Sequence, residues 1–135
     1  DVDARSLANQ YAQMLGQIFT HEMKPMEVEI LVAEVDYEGD SRKNQMFHIL
    51  YDGTVKDEAS FAVLGGESEI ILERFESLYK ANMTLPKSLS ACIEALSGDG
   101  RKIDPGDLEV AELSIENGRR AFRRITGTEL EDLII

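Results

Sequence analysis

The sequence has few of the residues from which catalytic and metal sites are built. Its one cysteine, Cys92, cannot form a disulfide within the chain, and neither His21 nor His48 has the nearby histidine or cysteine that a zinc site needs. The serines fall at helix caps, in loops and on helix surfaces, with no activating base in view. The sequence therefore predicts no catalytic residue, no metal site and no cofactor.

Positive charge is scarce as well. Fourteen lysines and arginines face 26 aspartates and glutamates, which gives a formal net charge of -12. A molecule with this charge repels a phosphate backbone, so nucleic acid is not an expected partner.

Long apolar runs are missing too. No stretch approaches the roughly 18 apolar residues of a membrane span, and no signal-peptide pattern opens the sequence. Cys92 lies among Leu89, Ile93 and Leu96, a setting typical of a small buried hydrophobe in a reducing compartment. These features predict a soluble cytoplasmic protein that does not contact a membrane.

What the chain does contain is an ordinary globular composition. It has 135 residues, of which 43% are hydrophobic and 30% charged. A chain of this size can bury about two-thirds of the surface that it exposes when unfolded. We therefore expect residues 1–135 to form a single domain.

Helical spacing of apolar residues predicts four helices. The first covers residues 3–24, with Asp3 as N-cap and Pro25 as the stop, and the second covers residues 67–82. The third begins at Thr84 and Pro86 and turns Leu89, Cys92, Ile93 and Leu96 inward. The fourth is a short helix that begins with the capping box at residues 128–131.

Five runs predict strands: residues 28–35, 46–51, 60–64, 108–115 and 121–125. The first is apolar on both faces and is expected to be covered on both. The last two flank Asn117-Gly118, a strong hairpin signal, and should pair antiparallel. Grouped strands and helices favour an α+β fold, with helices layered on antiparallel sheets.

Two polar features are interpreted as structural. Asp36, Glu38 and Asp40 alternate like the start of a calcium loop, but the glycine stands fourth instead of sixth and Phe47 occupies the place of the bidentate glutamate. A solvated acidic loop is therefore expected. His48, on a strand face with apolar neighbours, is expected to be a hydrogen-bonded structural histidine.

Four arginines, Arg119, Arg120, Arg123 and Arg124, surround Phe122. On a strand, Arg120 and Arg124 would share a face with Phe122, and Arg123 would lie on the other face. Two interpretations remain open. The arginines either pair with an acidic surface of the chain or form a contact between subunits, a role that suits the forked guanidinium group.

The most informative run is FAVLGG at residues 61–66, which leads directly into the helix predicted from residue 67. A strand joined to a helix by two glycines is a turn on which an enzyme could display a nucleophile. Here no serine, threonine or cysteine stands between the glycines. The chain thus has a turn typical of an enzyme but no nucleophilic side chain on it.

Several runs together closely resemble the α subunits of actinobacterial proteasome cores, over essentially the whole chain. They are SLANQYAQ at residues 6–13, KPMEVE at 24–29, YDGT at 51–54, VLGG at 63–66 and RRAFRRITG at 119–127. Each run is weak by itself, but five in the same order make the resemblance strong.

The resemblance implies a fold of the N-terminal-nucleophile hydrolase type, an αββα sandwich of two antiparallel sheets with flanking helices. It assigns the three strands within residues 28–64 to one sheet and the Asn117-Gly118 hairpin to the other. In the related β subunits, a serine between glycines assists an N-terminal threonine. Here the matching stretch reads Gly65-Gly66-Glu67 and the given sequence begins with Asp1, and under the resemblance both departures indicate the non-proteolytic α type.

The resemblance also implies that roughly a hundred further residues precede residue 3, a length consistent with an ordinary domain. The first strands, the gate and the residues that dock an ATPase are expected there. The sequence is then interpreted as a fragment of an α subunit. Its parent would form the seven-membered outer ring, contact other α subunits and the catalytic β subunits, and restrict substrate entry for an activating ATPase that delivers tagged proteins.

Losing strands would leave sheet edges open, so the fragment is expected to associate with itself. Two other functions stay open at this point. The chain could be a fragment of a catalytic β-type hydrolase whose nucleophile lies elsewhere, or a free-standing acidic binding module.

Overall fold

The chain is divided into two units. A computed structural model describes residues 2–134, and these belong to two compact units, Asp1–Ala62 and Val63–Ile135. The element order is one helix, three strands, two helices, two strands and one helix, as predicted. Both sheets are antiparallel, which confirms the α+β class. That residues 1–135 make one domain stays a prediction.

The first unit begins with helix α1, Ala4–His21. Asp3 is its N-cap, because its carboxylate accepts a hydrogen bond of 2.7 Å from the backbone N–H of Ser6. The helix ends earlier than predicted, since Glu22 is already extended. Pro25 therefore follows the end of α1 instead of causing it.

Three strands complete the first unit: β1 (Ile30–Glu34), β2 (Gln45–Ile49) and β3 (Val55–Asp57), in the order β1-β2-β3. One face of this sheet packs on α1. The buried core between them consists of Ala4, Ala8 and Leu15 from the helix and Val32, Phe47 and Ile49 from the strands.

The opposite face of β1 is not covered as predicted. Val32, which faces α1, is 8% exposed, whereas its neighbour Leu31 is 42% exposed and Ala33 is exposed as well. Successive side chains of a strand point to opposite faces, so one apolar face of β1 is buried and the other is largely open. The expectation of cover on both faces is wrong for this chain.

The third strand lies at Val55–Asp57, not at residues 60–64. Asp52 and Gly53 form a tight turn in which the Leu50 N–H donates to the Thr54 carbonyl, at 2.9 Å, so β3 starts directly after the turn. Residues 60–64 belong to no strand among the described residues. The prediction of a strand at residues 60–64 is therefore wrong.

The second unit contains helices α2 (Ser68–Leu78) and α3 (Leu85–Ser97). The hydroxyl of Thr84 caps α3, as predicted, with Pro86 in its first turn. Helix α2 is shorter than predicted because Tyr79 is extended and Asn82 has a φ of 60°. Both features turn the chain between the two helices.

Strands β4 (Val110–Leu113) and β5 (Phe122–Ile125) pair antiparallel in the second unit, as predicted. Their connection is longer than an Asn-Gly turn, because the Ser114 N–H donates to the Ala121 carbonyl and a short 3₁₀ turn, Ile115–Asn117, lies between. Helix α4, Gly127–Ile134, follows at once. Leu89, Ile125 and Leu130 form the buried core.

Candidate functional site

The bend formed by Gly65 and Gly66 is exposed and carries no side chain. Gly65 and Gly66 are both exposed, and Gly65 has a φ of 114°. A Cβ atom built at either glycine would meet no atom within 4 Å. The prediction that a strand runs into this bend is wrong, because residues 61–64 are not in a strand. Asp1, the other residue compared with a nucleophile, lies outside the described residues.

His48 forms the most buried polar cluster of the first unit. It lies on the central strand β2 and is 7% exposed. Its Nε2 is 2.6 Å from a carboxylate oxygen of Glu29, and its Nδ1 is 3.7 Å from one of Glu58. Glu29 precedes β1 and Glu58 follows β3, so the imidazole connects the three strands. The prediction of a hydrogen-bonded structural histidine is confirmed.

Cys92 is exposed, and the prediction that it is a buried hydrophobe is wrong. Helix α3 turns Leu89 inward, as predicted, together with Ala91 and Ala95, and Ile93 packs partly buried against the core, also as predicted. Leu96, also predicted inward, is 40% exposed. Partial burial around the sulfur raises the pKa of the Cys92 thiol, so it stays protonated and weakly nucleophilic at neutral pH.

The acidic loop after β1 is held by its own hydrogen bonds. The Asp36 carboxylate accepts from the Asp40 N–H at 3.1 Å, and Asp40 pairs with the Arg42 guanidinium at 3.0 Å. That side-chain hydrogen bond lowers the pKa of Asp40. Within residues 2–134, no group of three His, Cys, Asp or Glu side chains is arranged to hold a metal ion.

The arginine cluster divides into paired and unpaired members. Arg123, on the same strand face as Ile125, donates to Glu129 and lies 3.4 Å from Glu112. The hydrogen bond to Glu129 is the main cause of a raised Arg123 pKa. For this arginine, pairing with the acidic surface is the correct interpretation.

The other three arginines are exposed. Arg124 shares the outer face of β5 with Phe122, as predicted. Arg119 and Arg120 lie in the turn before β5, so the prediction that Arg120 stands on the strand is wrong. Within the described residues, none of the three forms an ion pair. The hairpin thus presents three uncompensated positive charges beside an exposed aromatic ring.

The second unit also contains a cleft of about 630 Å³ that sequence analysis did not identify. Its lining includes Lys80, Asn82, Met83 and Lys87 near the connection of α2 and α3, together with Leu133 from α4. Leu133 is far from the other four residues in sequence, and only the packing of α4 on α3 brings it close to them. No sequence motif marks the cleft.

Among residues 2–134, no helix combines the length and the apolar character needed to cross a bilayer.

Comparison with known proteins gives a consistent result. The family model described as "Proteasome subunit" matches residues 1–113. The chain is 53% identical over 134 residues to "Proteasome subunit alpha" of Acidimicrobium ferrooxidans, covering 99% of this chain and 57% of that protein. It is 45% identical over 139 residues to the protein of the same name from Mycolicibacterium vanbaalenii, covering 99% and 55%.

A third relative, "Proteasome subunit alpha" of Rhodococcus jostii, is 46% identical over 140 residues, with 99% of this chain and 54% of that protein covered. The chain therefore spans about half the length of the curated relatives that it matches.

Proposed function

Because this chain belongs to the proteasome subunit family, we propose that it is part of a non-catalytic α subunit of a proteasome core. The observation that carries the proposal is that the relatives aligned with 99% of the chain bear the name of α subunits. The five sequence runs that resemble α subunits agree with it.

The geometry of the second unit supports the non-catalytic assignment. A β-type subunit would be expected to place a serine at the bend that Gly65 and Gly66 occupy here. Both glycines are exposed, and a Cβ atom built at either one would meet no other atom within 4 Å. This part of the chain therefore supplies a turn and offers no hydroxyl at the position where the related enzymes use one.

In the full-length parent, the subunit has a structural role. It forms the outer seven-membered ring with other α subunits, stacks on the catalytic β ring in the cytoplasm and limits which chains reach the proteolytic chamber. An ATPase that delivers tagged proteins docks on this ring. The gate and the docking residues belong to the part of the parent outside residues 1–135.

The test is peptide hydrolysis by the full-length parent, purified without its β partner. We expect no turnover of fluorogenic peptides, and turnover sensitive to a threonine-directed inhibitor once the β subunit is co-expressed. Inhibitor-sensitive turnover by the parent alone would contradict the proposal and identify a hydrolase instead.

A further inference from the structure

One surface of the second unit concentrates positive charge in a strongly acidic chain. We call it the hairpin patch; it consists of Arg119, Arg120, Phe122 and Arg124. All four residues are exposed, and within residues 2–134 no carboxylate pairs with the three guanidinium groups. Arg123, between them in sequence, is neutralised by Glu112 and Glu129. These two acidic side chains therefore pair with Arg123 and, among the described residues, leave the charges of the hairpin patch unpaired.

The centre of the hairpin patch is apolar. Phe122 is 52% exposed, and its cross-strand partner Leu113 is 37% exposed. Exposed aromatic and arginine side chains are the residues most enriched at the energetic centres of protein interfaces. Its composition is therefore that of a docking surface for a partner that is both acidic and apolar.

Helix α2 presents a surface of this complementary kind. Glu69, Glu73 and Glu76 recur at helical spacing, and at 100° per residue they fall within about 60° of one another around the helix axis. On either side of them are Ile70, which is 54% exposed, and Leu72, which is 37% exposed. We call these five residues the α2 stripe.

The α2 stripe has no compensating partner in its own chain. All three glutamates are exposed, and within the described residues none forms an ion pair. Like charges at this spacing oppose each other on an isolated helix, so cations from another surface would relieve that repulsion. No residue of α2 is fully buried, and two large apolar side chains remain open beside the glutamates.

We propose that the hairpin patch of one subunit docks on the α2 stripe of a second copy, with the three arginines facing the three glutamates and Phe122 packing against Leu72 at the edge of the stripe. The two surfaces lie on different elements of one unit and do not pair within the chain. A contact between unlike surfaces of identical molecules is heterologous, and it closes into a ring when the rotation permits. The inference rests on the proposed function, since it supplies a contact for the α ring.

Net charge decides against a nucleic acid as the occupant. A chain with a formal charge of -12 repels a phosphate backbone before three arginines can bind it, whereas a second copy brings an excess of carboxylates. Electrostatic complementarity at such contacts also selects the register and suppresses wrong pairings.

The test uses two charge reversals in the full-length subunit. One variant carries Arg119→Glu, Arg120→Glu and Arg124→Glu; the other carries Glu69→Arg, Glu73→Arg and Glu76→Arg. We expect each variant alone to associate at least about tenfold more weakly than wild type in sedimentation velocity, the effect of one coupled charge pair. Mixing the two should restore a one-to-one complex, and raising the salt concentration should weaken it.

The matched control carries Lys24→Glu, Arg101→Glu and Lys102→Glu. It changes the net charge as much as the first variant, at three exposed positions outside the hairpin patch. We expect it to associate like wild type. Thermal melts establish that each variant is folded, and recovery in the mixture confirms it independently.

The outcomes separate the two proposals. If wild type forms rings with its β partner while the hairpin-patch variant assembles equally well, the inference is wrong and the proposed function stands. Folded variants that fail to recover on mixing would likewise refute the inference and leave the proposed function intact. If wild-type α subunits form no ring at all, both proposals fail.

Discussion

At the scale of single residues, two glycines make a close backbone approach in the first unit. Gly53, in the turn between β2 and β3, packs against Gly16 in the middle of α1. A Cβ atom at Gly53 would lie 2.6 Å from the Ala12 carbonyl oxygen and 2.9 Å from the Gly16 Cα. The turn and the helix can therefore touch only if position 53 carries no side chain.

Gly53→Ala should lower the free energy of unfolding by about 2–4 kcal/mol, because it adds strain at a φ of 90° to a clash with backbone atoms. Urea unfolding measures the change. Gly66→Ala is the matched control; its added methyl group meets no atom within 4 Å, so we expect a change within about 0.5 kcal/mol. Equal effects of the two substitutions would refute this account of the turn.

Asp3 provides a residue-scale prediction about pH. The hydrogen bond from the Ser6 N–H, with help from Arg5, lowers the pKa of the Asp3 carboxyl in the folded chain. Since the folded-state pKa lies below the unfolded one, the stabilisation is present above about pH 4 and is lost as the pH falls through the folded-state value.

Asp3→Asn should keep the cap and remove its titration, because asparagine also caps helices well. Unfolding followed by circular dichroism between neutral and acidic pH should show a weaker loss of stability in this variant than in wild type. Asp40 and Asp52, whose pKa values are also lowered, leave part of the acid sensitivity in place. Identical pH profiles would show that the ionisation of Asp3 does not contribute to the pH dependence of stability.

At the scale of elements, β1 combines an open edge with an exposed apolar face. It pairs with β2 on one side only, and its outer face exposes Leu31. Open strand edges with apolar side chains promote pairing between chains. We therefore predict that residues 1–135 associate with themselves through β1 at micromolar concentration, as strand addition or swapping.

Leu31→Lys should shift this association towards monomer, because a lysine on an edge strand opposes pairing. Light scattering at several concentrations measures it, at high salt so that contacts between charged surfaces are screened. Tyr37→Lys, at a loop residue that is 86% exposed, is the control and should associate like wild type. A wild-type chain that is monomeric throughout would overturn the prediction.

The elements also show where sequence reasoning succeeds. Asp3 and Thr84 were recognised as helix starts because capping depends on a local hydrogen bond that a few neighbouring residues determine. The third strand was misplaced because a tight hairpin fixes its start by cross-strand pairing, which an apolar pattern does not encode. Cys92 was misplaced for a similar reason, since the inward side of α3 depends on what packs against it.

At the scale of the whole molecule, the sequence revealed the arginine cluster but not which of its arginines form ion pairs. The pairing of Arg123 needs Glu112 from the adjacent strand and Glu129 from α4, which come together only in the fold. The glutamates of the α2 stripe can be located in the sequence. They indicate a docking surface only once the structure shows that they are exposed and form no ion pair among the described residues. Family membership, in contrast, was accessible from five short runs.

Residues 1–135 cover about half of the relatives' length, so the non-catalytic role is tested on the full-length parent. The most direct measurement is covalent labelling of the co-purified α and β subunits with a threonine-directed inhibitor, read by mass spectrometry of each chain. We predict label on the β chain alone, with the α chain at its unmodified mass. Label on the α chain would contradict the assignment of this family member as a non-catalytic subunit.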